Sequence, residues 1–381
     1  MKNEKIIYIT AGEESGDMLG SEVIRSIKKI HPDVIIRGIG GKKMAECGLE
    51  PVFRTEKLGF MGFFELIKHA FVIRKAFKTI LEKIIEDKPA VILMIDFSEF
   101  HLKLAKRVKS ALPDTKIIKY VSPQIWASRP KRIHDIVKYY DCLCCILPFE
   151  KKYYEKFDID CRFVGHPLLD KYQINLDYNE FIEKFSISEV KTMISIFPGS
   201  RLQEIKKHLP VIKEFIYKIM TRGNIEIIIC RSENLPINIF GKYALPETVK
   251  IISSEYQWEI MKYSDIIICK SGTSTLQTAI AQTPSIVFYK VNPISFFIAK
   301  LIVKAKYISL PNIIADKQIN PELIQDDFTS RNLINEVEKL LNSNYICELR
   351  KTGLEQVSKL LGGKGAGNRV AQAVSDYMER E

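Results

Sequence analysis

A glycine-rich segment with acidic side chains follows the first apolar run of the chain, residues 5–10. The segment 11–20 reads Ala-Gly-Glu-Glu-Ser-Gly-Asp-Met-Leu-Gly, and its candidate site residues are Glu13, Ser15 and Gly16. The glycines permit a tight turn and close approach of a ligand, but their Gly-x-x-x-Gly-x-x-x-Gly spacing is not the Gly-x-Gly-x-x-Gly of dinucleotide-binding loops. Because two carboxylates would repel a pyrophosphate, the segment favours a catalytic or acceptor-sugar loop. A structural turn between strand and helix explains it equally well.

Another carboxylate, Asp96, stands at the end of the apolar run 90–95. A carboxylate at the carboxyl end of a buried strand, facing a cleft, can act as a general base. The alternative is that Asp96 only caps a helix that starts near Phe100. The sequence therefore predicts a candidate base at this position.

The segment 120–129 combines an aromatic ring with a guanidinium. It reads Tyr-Val-Ser-Pro-Gln-Ile-Trp-Ala-Ser-Arg and contains Ser122, Trp126 and Arg129. Aromatic faces and arginine suit sugars and phosphates, so we interpret the segment as a substrate loop. An ordinary packed tryptophan fits the same pattern.

Two further apolar runs lead into helix starts that are rich in small polar residues. After the run 192–197 come Ser200 and Arg201, which would place backbone N–H groups and a guanidinium at an anion site; a turn that caps the helix is the alternative. After the run 265–269 comes a second helix start, and two such starts in one half suit a diphosphate. Its candidate binding residues are Ser271, Gly272, Thr273 and Ser274, with Gln277 one turn later for a ribose hydroxyl and Asn312 in a loop directed to the same region.

Short apolar runs alternate with helical stretches along the whole chain. Runs that are nearly continuous in Ile, Val, Leu or Cys are typical of parallel strands buried on both faces. The alternation predicts an α/β protein with two doubly wound Rossmann-like halves, whose ligand site would lie in the cleft between the two sheets. We place the domains at residues 1–170 and 171–350. A helical segment, 351–381, with a glycine-rich break would pack back on the first half or on a second chain.

Composition excludes several classes of protein. The chain has 381 residues, with 46% hydrophobic and 27% charged side chains, which is ordinary globular usage and excludes collagen, coiled coil and disorder for most of the chain. No apolar run approaches the length of a membrane-spanning helix, and we expect no signal peptide. The eight cysteines are too sparse for a disulfide framework, so we expect a reduced protein. The motif formed by Cys142, Cys144 and Cys145 has no second ligand pair at zinc spacing, so we expect buried strand residues there and no metal.

The net charge of +11 requires anionic partners. It leaves nucleic acid, an anionic membrane and phosphorylated substrates open, but no spacing typical of nucleic-acid-binding motifs is present, so we expect no nucleic acid. Two segments, 59–67 and 293–307, are apolar, and the second has lysines among its apolar residues. They suit an interfacial helix on an anionic bilayer; a core-packed helix is the alternative.

With these motifs in place, the chain resembles the lipid-A-disaccharide synthase family, bacterial inverting glycosyltransferases of the GT-B architecture. The resemblance runs in family order from about residue 5 to the C-terminal helices. The matching stretches are 11–20, 61–65, 120–129, 147–150, 163–167, 198–201, 271–276 and 309–312.

The resemblance implies a reaction and a place. Members transfer the sugar of UDP-2,3-diacylglucosamine to 2,3-diacylglucosamine 1-phosphate (lipid X), which gives lipid A disaccharide 1-phosphate and UDP. Asp96 matches the family's general base, Glu13 a polar active-site residue, and Arg201 and Asn312 further activity-linked positions. The first half would be the acceptor and lipid side and the second would bind the UDP-sugar, without metal or cofactor. The implied location is the cytoplasm of a Gram-negative bacterium, peripherally on the anionic inner-membrane surface; a homodimer stays open.

Four positions differ from the family pattern, and other functions compete. The family has Asp-x-Pro-Asp-Phe-Asn where this chain has Glu99 and His101; Ser128 replaces a tryptophan and Gln277 a glutamate. The alternatives are another UDP-sugar GT-B enzyme acting on N-acetylglucosamine and a non-catalytic protein that binds acylated glucosamine. A dinucleotide-dependent oxidoreductase is disfavoured by the missing glycine motif.

Overall fold

A computed structural model describes residues 6–55, 66–189, 191–293, 296–297 and 305–379. The motif 61–65 and most of the apolar segments 59–67 and 293–307 lie outside these described residues.

Thirteen strands are present in the described residues. They are β1 (Ile6–Ala11), β2 (Ile35–Gly40), β3 (Leu49–Arg54), β4 (Val91–Ile95), β5 (Lys116–Tyr120), β6 (Cys142–Cys145), β7 (Asp160–Phe163), β8 (Thr192–Phe197), β9 (Ile225–Arg231), β10 (Lys250–Ser253), β11 (Ile266–Lys270), β12 (Ser285–Tyr289) and β13 (Glu322–Ile324).

Fourteen α-helices connect and flank them in the same described part of the chain. They are α1 (Glu14–Ile30), α2 (Lys42–Glu46), α3 (Leu66–Asp87), α4 (Ser98–Ala111), α5 (Ile133–Tyr139), α6 (Pro148–Tyr154), α7 (Tyr178–Phe185), α8 (Leu202–Met220), α9 (Gln257–Tyr263), α10 (Thr273–Ala281), α11 (Leu310–Ala315), α12 (Ser330–Leu341), α13 (Asn344–Leu360) and α14 (Ala366–Met378).

The chain divides into two compact units. The first consists of Met1–Asp170 and Leu361–Glu381, and the second is Lys171–Leu360. The second unit therefore includes the whole of α13, whereas the sequence-based boundary falls after residue 350. Among the described helices, none combines the length and the apolar content that crossing a bilayer requires.

The first unit is built on a seven-stranded parallel sheet with the order β3-β2-β1-β4-β5-β6-β7. All of β4 is buried, because apolar helices cover both faces of the sheet. In the register, Ala11 is paired with Ile95, and Ile95 with Tyr120. The carboxyl ends of β1, β4 and β5 are thus aligned, and the segments that follow them lie side by side.

The C-terminal helix α14 packs against α1 in this unit. Its first turn is capped by Asp170, whose carboxylate accepts hydrogen bonds from the N–H groups of Gly365 at 2.5 Å and Ala366 at 3.1 Å. Ser26 on α1 donates to the Asn368 side chain at 2.6 Å. A carboxylate at a helix N-terminus is electrostatically favourable, so Asp170 stabilises the return of the chain to the first unit.

The second unit holds a six-stranded parallel sheet with the order β10-β9-β8-β11-β12-β13. In the register, Cys269 of β11 is paired with Phe197 of β8. The two strands therefore end together, and α8 and α10 begin from neighbouring strand ends. This edge is where a doubly wound sheet binds ligands.

Candidate functional site

Glu13 and Asp96 follow neighbouring strands of the first sheet and lie at the same edge. Gly12 makes this arrangement possible, since a Cβ atom there would overlap the ring of Phe97. Gly16 is similarly restricted, because its Cβ would lie 3.0 Å from that of Ala11. Glu13 is exposed on the loop, as is Ser15 beside it. The structure thus brings three of the expected acceptor-side residues together with the candidate base.

Asp96 ends β4 in an unusual backbone conformation. Its φ is +52° and that of Phe97 is +46°, and left-handed residues other than glycine cost roughly 1–2 kcal/mol each. The N-cap of α4 is Phe97, so the alternative in which Asp96 caps this helix is wrong. Within the described ranges, no hydrogen-bond donor contacts the Asp96 carboxylate, which leaves it available to accept a proton.

The buried carboxylate of Glu150 holds the loop that follows β5. Trp126 donates from its indole N–H to Glu150 at 3.2 Å, and its ring meets Phe149 edge-on at 4.8 Å. Glu150 also accepts from the N–H of Leu147 at 3.1 Å, and burial raises its pKa. Ser122 is buried within the loop. Trp126 is therefore half-buried and oriented by α6, and Ser122 does not lie at the surface.

Arg129 is exposed and paired with a carboxylate of its own unit. Its guanidinium donates to Glu99 at 2.8 Å, and Arg132 contacts the same oxygen at 2.5 Å. The hydrogen bond from Arg132 is the largest of the effects that lower the pKa of Glu99. Glu99 therefore orients Arg129, the arginine expected to contact substrate. The sequence did not indicate this pairing.

In the second unit, a cavity of about 310 Å³ opens where β8 and β11 end. Its lining is polar and comes mainly from the two helix starts and the strand ends. Among the lining residues are Gly199, Ser200, Glu204, Gln257, Lys270, Gly272, Thr273 and Ser274.

The start of α8 is occupied by its own glutamate. Glu204 accepts hydrogen bonds from the N–H groups of Ser200 at 3.0 Å and Arg201 at 3.3 Å. Gly199 permits this, since its φ is +120° and a Cβ there would lie 2.5 Å from the Glu204 carboxylate. This corrects the expectation that these N–H groups are open to a diphosphate. The Arg201 side chain is exposed and is not among the residues that line the cavity.

Lys270, at the end of β11, is the cation in this cavity. Its ammonium lies 3.1 Å from the Glu204 carboxylate. Burial raises the pKa of Glu204, but Lys270 and the N–H donors of Ser200 and Arg201 outweigh this effect and lower it overall. Sequence reasoning missed Lys270, although a lysine that ends an apolar run directly before Ser-Gly was a usable signal.

The start of α10 keeps its first turn open to the cavity. Ser271 does not contribute, because its hydroxyl donates to the Ile308 carbonyl at 2.8 Å and its N–H to that of Phe288 at 2.8 Å. Gly272, with a φ of +151°, leads into Thr273 and Ser274, whose N–H groups precede the first intrahelical hydrogen bonds. These two residues retain the predicted anion-binding geometry.

Gln277 is buried one turn further along α10. Its amide donates to the Gln257 side chain at 3.2 Å. Gln257 lines the cavity, whereas Gln277 supports it from behind. Any contact with a ribose hydroxyl therefore falls first to Gln257, which the sequence did not single out.

Asn312 is buried, and every hydrogen-bonding position of its amide is used. Its nitrogen donates to the Asn320 carbonyl and to Glu322, each at 2.8 Å, and its oxygen accepts from the N–H groups of Ile319 at 2.8 Å and Asn320 at 3.0 Å. Glu322 also accepts from the N–H of Ile308 at 2.9 Å, the residue that holds Ser271. This corrects the expectation of a direct catalytic role, because Asn312 has no group left for a substrate and instead fixes the loop behind the cavity.

Comparison with known proteins identifies the chain. Residues 7–374 match the family model of lipid-A-disaccharide synthetase, LpxB. The chain belongs to this family. It is 35% identical to lipid-A-disaccharide synthase of Coxiella burnetii (strain RSA 331) over 91% of both chains. It is 30% identical to the synthase of Geobacter sulfurreducens over 98% of both chains.

Solved structures confirm the fold class of this family member. A putative UDP-N-acetylglucosamine 2-epimerase from Listeria monocytogenes matches with a TM-score of 0.64 at 13% identity, over 99% of this chain and 98% of that one. CalG4, the calicheamicin glycosyltransferase, matches with a TM-score of 0.59 at 14% identity, over 100% of this chain and 99% of that one. At such low identity the likeness shows the fold alone, which is the predicted GT-B arrangement of two parallel-sheet Rossmann-like domains.

Among the described residues of this lipid-A-disaccharide synthase family member, no group of three or more His, Cys, Asp or Glu side chains is placed to hold a metal ion. The cysteines Cys142, Cys144 and Cys145 are buried in β6 and free.

Proposed function

We propose that the chain is a UDP-dependent glycosyltransferase that makes the lipid A disaccharide. It transfers diacylglucosamine from UDP-2,3-diacylglucosamine to the 6-hydroxyl of lipid X, with release of UDP and inversion at the anomeric carbon. The observation that carries this proposal is the family match, which runs through both units from residue 7 to residue 374.

Asp96 is the proposed general base. It accepts the proton of the 6-hydroxyl while the oxygen attacks the anomeric carbon, and the bond from that carbon to the UDP oxygen breaks. Two features support this role: the carboxylate lies at the carboxyl edge of the sheet, and no donor within the described residues competes for it. Glu13 lies at the same edge, where with Ser15 and Gly16 it would bind acceptor hydroxyls.

Stabilisation of the leaving diphosphate is proposed for the cavity of the second unit. Lys270 supplies a positive charge there, and the N–H groups of Thr273 and Ser274 supply fixed dipoles. Such preorganised donors act where charge develops, and losing one typically lowers the rate by about 100-fold or more. Arg201 is exposed beside the start of α8 and would reach the diphosphate only once the nucleotide is bound.

Arg129 and Trp126 are proposed to bind the acceptor. A phosphate group offers a guanidinium a bidentate, charge-assisted partner. The exposed pair of Arg129 with Glu99 is weak, so the 1-phosphate of lipid X would displace Glu99 from it. Trp126, held by Glu150, would present its ring to the glucosamine. Ser122 would act from beneath, by supporting this loop.

Peripheral binding to the inner membrane from the cytoplasmic side is proposed for a separate reason. Both substrates carry acyl chains, and the chain has a net charge of +11, which favours an anionic surface. Two large apolar side chains are exposed near these segments: Phe71, shortly after the segment 59–67, and Phe297, within the segment 293–307, each at 64%. Flotation with anionic vesicles that weakens as salt is added would support the electrostatic part, and flotation insensitive to both would contradict it.

The reaction is tested by mixing purified protein with UDP-2,3-diacylglucosamine and lipid X in detergent with EDTA. Disaccharide and UDP should appear in equal amounts. UDP-N-acetylglucosamine in place of the acylated donor is the matched control and should give neither. Turnover of that unacylated sugar nucleotide would favour another sugar-nucleotide enzyme, and binding of lipid X without UDP release would favour a non-catalytic protein.

A further inference from the structure

Beneath the candidate base lies a buried cluster of polar side chains that the reaction described so far does not use. Lys119 on β5 is fully buried, and its ammonium donates to the backbone carbonyl of Asp96. His101 on α4 is 1% exposed, and its Nδ1 lies 2.7 Å from the same carbonyl oxygen. Thr10 on β1 lies 3.0 Å from the other ring nitrogen, Nε2. Side chains from two elements, β5 and α4, therefore converge on the Asp96 carbonyl, and Thr10 of β1 contacts the histidine ring.

The contacts of His101 favour one tautomer. Its Nδ1 lies 2.7 Å from the Asp96 carbonyl oxygen and 3.3 Å from Nζ of Lys119. Because a carbonyl oxygen only accepts, the shorter contact places the proton on Nδ1, and Nε2 then accepts from the Thr10 hydroxyl. Burial, followed by the charge of Lys119, lowers the pKa of His101 well below its usual range. The ring is therefore neutral, and Lys119 is the cation of the cluster.

Lys119 is a buried amine whose charge depends on its surroundings. Burial lowers the pKa of Lys119 to about 7, and the negative charge of Asp96 opposes this shift. Asp96 follows β4 directly; His101 on α4 is neutral, and Thr10 on β1 does not titrate. The contact that holds the ammonium in place is the one to the Asp96 backbone carbonyl.

The cluster explains how the chain keeps its strained turn. The N–H of Asp96 donates to the Tyr120 carbonyl at 3.0 Å, and its carbonyl is held by Lys119 and His101. Both sides of the residue are therefore fixed, while its φ and that of Phe97 are positive. Strained residues of this kind persist only where surrounding structure holds them.

We propose that Lys119 and His101 are positioning residues for Asp96: together they hold its backbone carbonyl and so fix the direction of its carboxylate. This inference rests on the proposed role of Asp96 as base. Neither side chain touches substrate, so their effect should appear in kcat rather than in KM.

The test compares Lys119→Met with wild type in the disaccharide assay. Misplacing a catalytic group by about 1 Å can cost on the order of 100-fold, so kcat should fall about 10- to 100-fold while KM for both substrates changes little. Unchanged kcat, or a rise in KM with kcat unchanged, would overturn the proposal.

The control is Thr115→Val. Thr115 is buried just before β5, and its hydroxyl donates to the Pro89 carbonyl at 3.0 Å. This variant also loses a buried bond from side chain to backbone, but at the opposite end of the strand. It should lower stability without changing kcat. An equal loss of kcat in Thr115→Val would show that the effect of Lys119 is only structural.

A second pair of variants covers the case in which Lys119→Met does not fold. His101→Asn keeps an N–H donor for the Asp96 carbonyl, and His101→Phe does not. The asparagine variant should retain most of kcat, and kcat of the phenylalanine variant should fall about 10-fold or more; equal values would overturn the proposal.

Asp96→Asn separates the positioning role from the proposed role of Asp96 as base. If it keeps full turnover, both Asp96 as base and the positioning role fail; if it is inactive while Lys119→Met and His101→Phe behave like wild type, only the positioning role fails.

Discussion

The carboxylate of Glu204 lies 3.1 Å from the ammonium of Lys270, where β8 and β11 end side by side. The same carboxylate accepts the N–H groups of Ser200 and Arg201. Glu204 therefore occupies the position of an anion at this helix start. A diphosphate that binds here would pair with Lys270 in place of Glu204. The strength of the pair between Glu204 and Lys270 therefore affects the affinity for the diphosphate.

Lys270→Met should weaken UDP binding. The variant removes a charged hydrogen-bond donor from the cavity, which is worth roughly 10- to 100-fold in affinity. Calorimetric titration with UDP measures this directly. Lys218→Ala is the matched control, since Lys218 pairs with Glu214 on the exposed surface of α8 and its loss changes the net charge equally. Equal weakening in both variants would mean that only overall charge matters.

Glu204→Gln should have the opposite effect on the same affinity. Glutamine can still accept from the N–H groups at the start of α8, but it no longer neutralises Lys270, so UDP should bind more tightly. The unfolding free energy should fall by about 1 kcal/mol, because the charged cap is lost. UDP titration and chemical denaturation of the same sample test the two signs. Weaker UDP binding would show that Glu204 contributes to the nucleotide site rather than competing with it.

Asp96→Asn should abolish turnover and leave the fold intact. Asparagine is nearly isosteric with aspartate but cannot accept the proton of the 6-hydroxyl, and general base catalysis is typically worth about 100- to 10,000-fold. The rate of disaccharide formation measures the loss, and UDP titration should be unchanged because the nucleotide cavity lies in the other unit. Asp114→Asn, an exposed change in the same unit, is the control. Near-normal turnover in Asp96→Asn would remove it from the role of base.

Apolar runs were sufficient to predict most of the strands and the residues at their ends, but not β3 and β13, which lie at the edges of the two sheets and are not continuously apolar. Strand β4 (Val91–Ile95) is buried on both faces and therefore appears as an unbroken apolar run, which puts Asp96 at its end. The sequence did not indicate that Lys119 in the neighbouring strand β5 is buried. A lysine at this position fits an exposed edge strand as well as a buried strand, and the position of β5 inside the sheet determines which of the two applies.

The start of α8 was also predicted, but not which group would occupy it. Glu204 stands at the third position of the helix, where the capping-box pattern places a carboxylate that reaches back to the N-terminus. The same N–H groups can serve a ligand or the chain's own glutamate, and the sequence does not distinguish these. Asn312 shows the same limit, because a polar residue in a loop looks identical whether it binds substrate or supports the loop.

Asn312→Ala should destabilise the second unit and loosen the nucleotide cavity. The change removes the Asn312 partner of the N–H groups of Ile319 and Asn320 and of the Asn320 carbonyl, and each unsatisfied buried group costs roughly 1–3 kcal/mol. Chemical denaturation should show a loss of several kcal/mol, with weaker UDP binding through the loop that holds Ser271. Asn332→Ala, which removes an exposed amide bonded to the Asp327 carbonyl at 2.9 Å, is the control. A fall in kcat with unchanged stability would instead indicate that Asn312 acts directly in the reaction.

Lys119 should make stability depend on pH in a direction that can be checked. Its pKa is about 7 in the folded chain against an ordinary value of 10.5, so between these values the unfolded chain binds more protons and stability rises with pH. Below pH 7 the ammonium is buried in charged form and the gain is absent. Relative to Lys119→Met, the wild type should therefore gain up to about 1.4 kcal/mol per pH unit as pH rises above 7. Denaturant titrations of both proteins across this range measure the difference; a constant difference would show that the buried amine keeps an ordinary pKa.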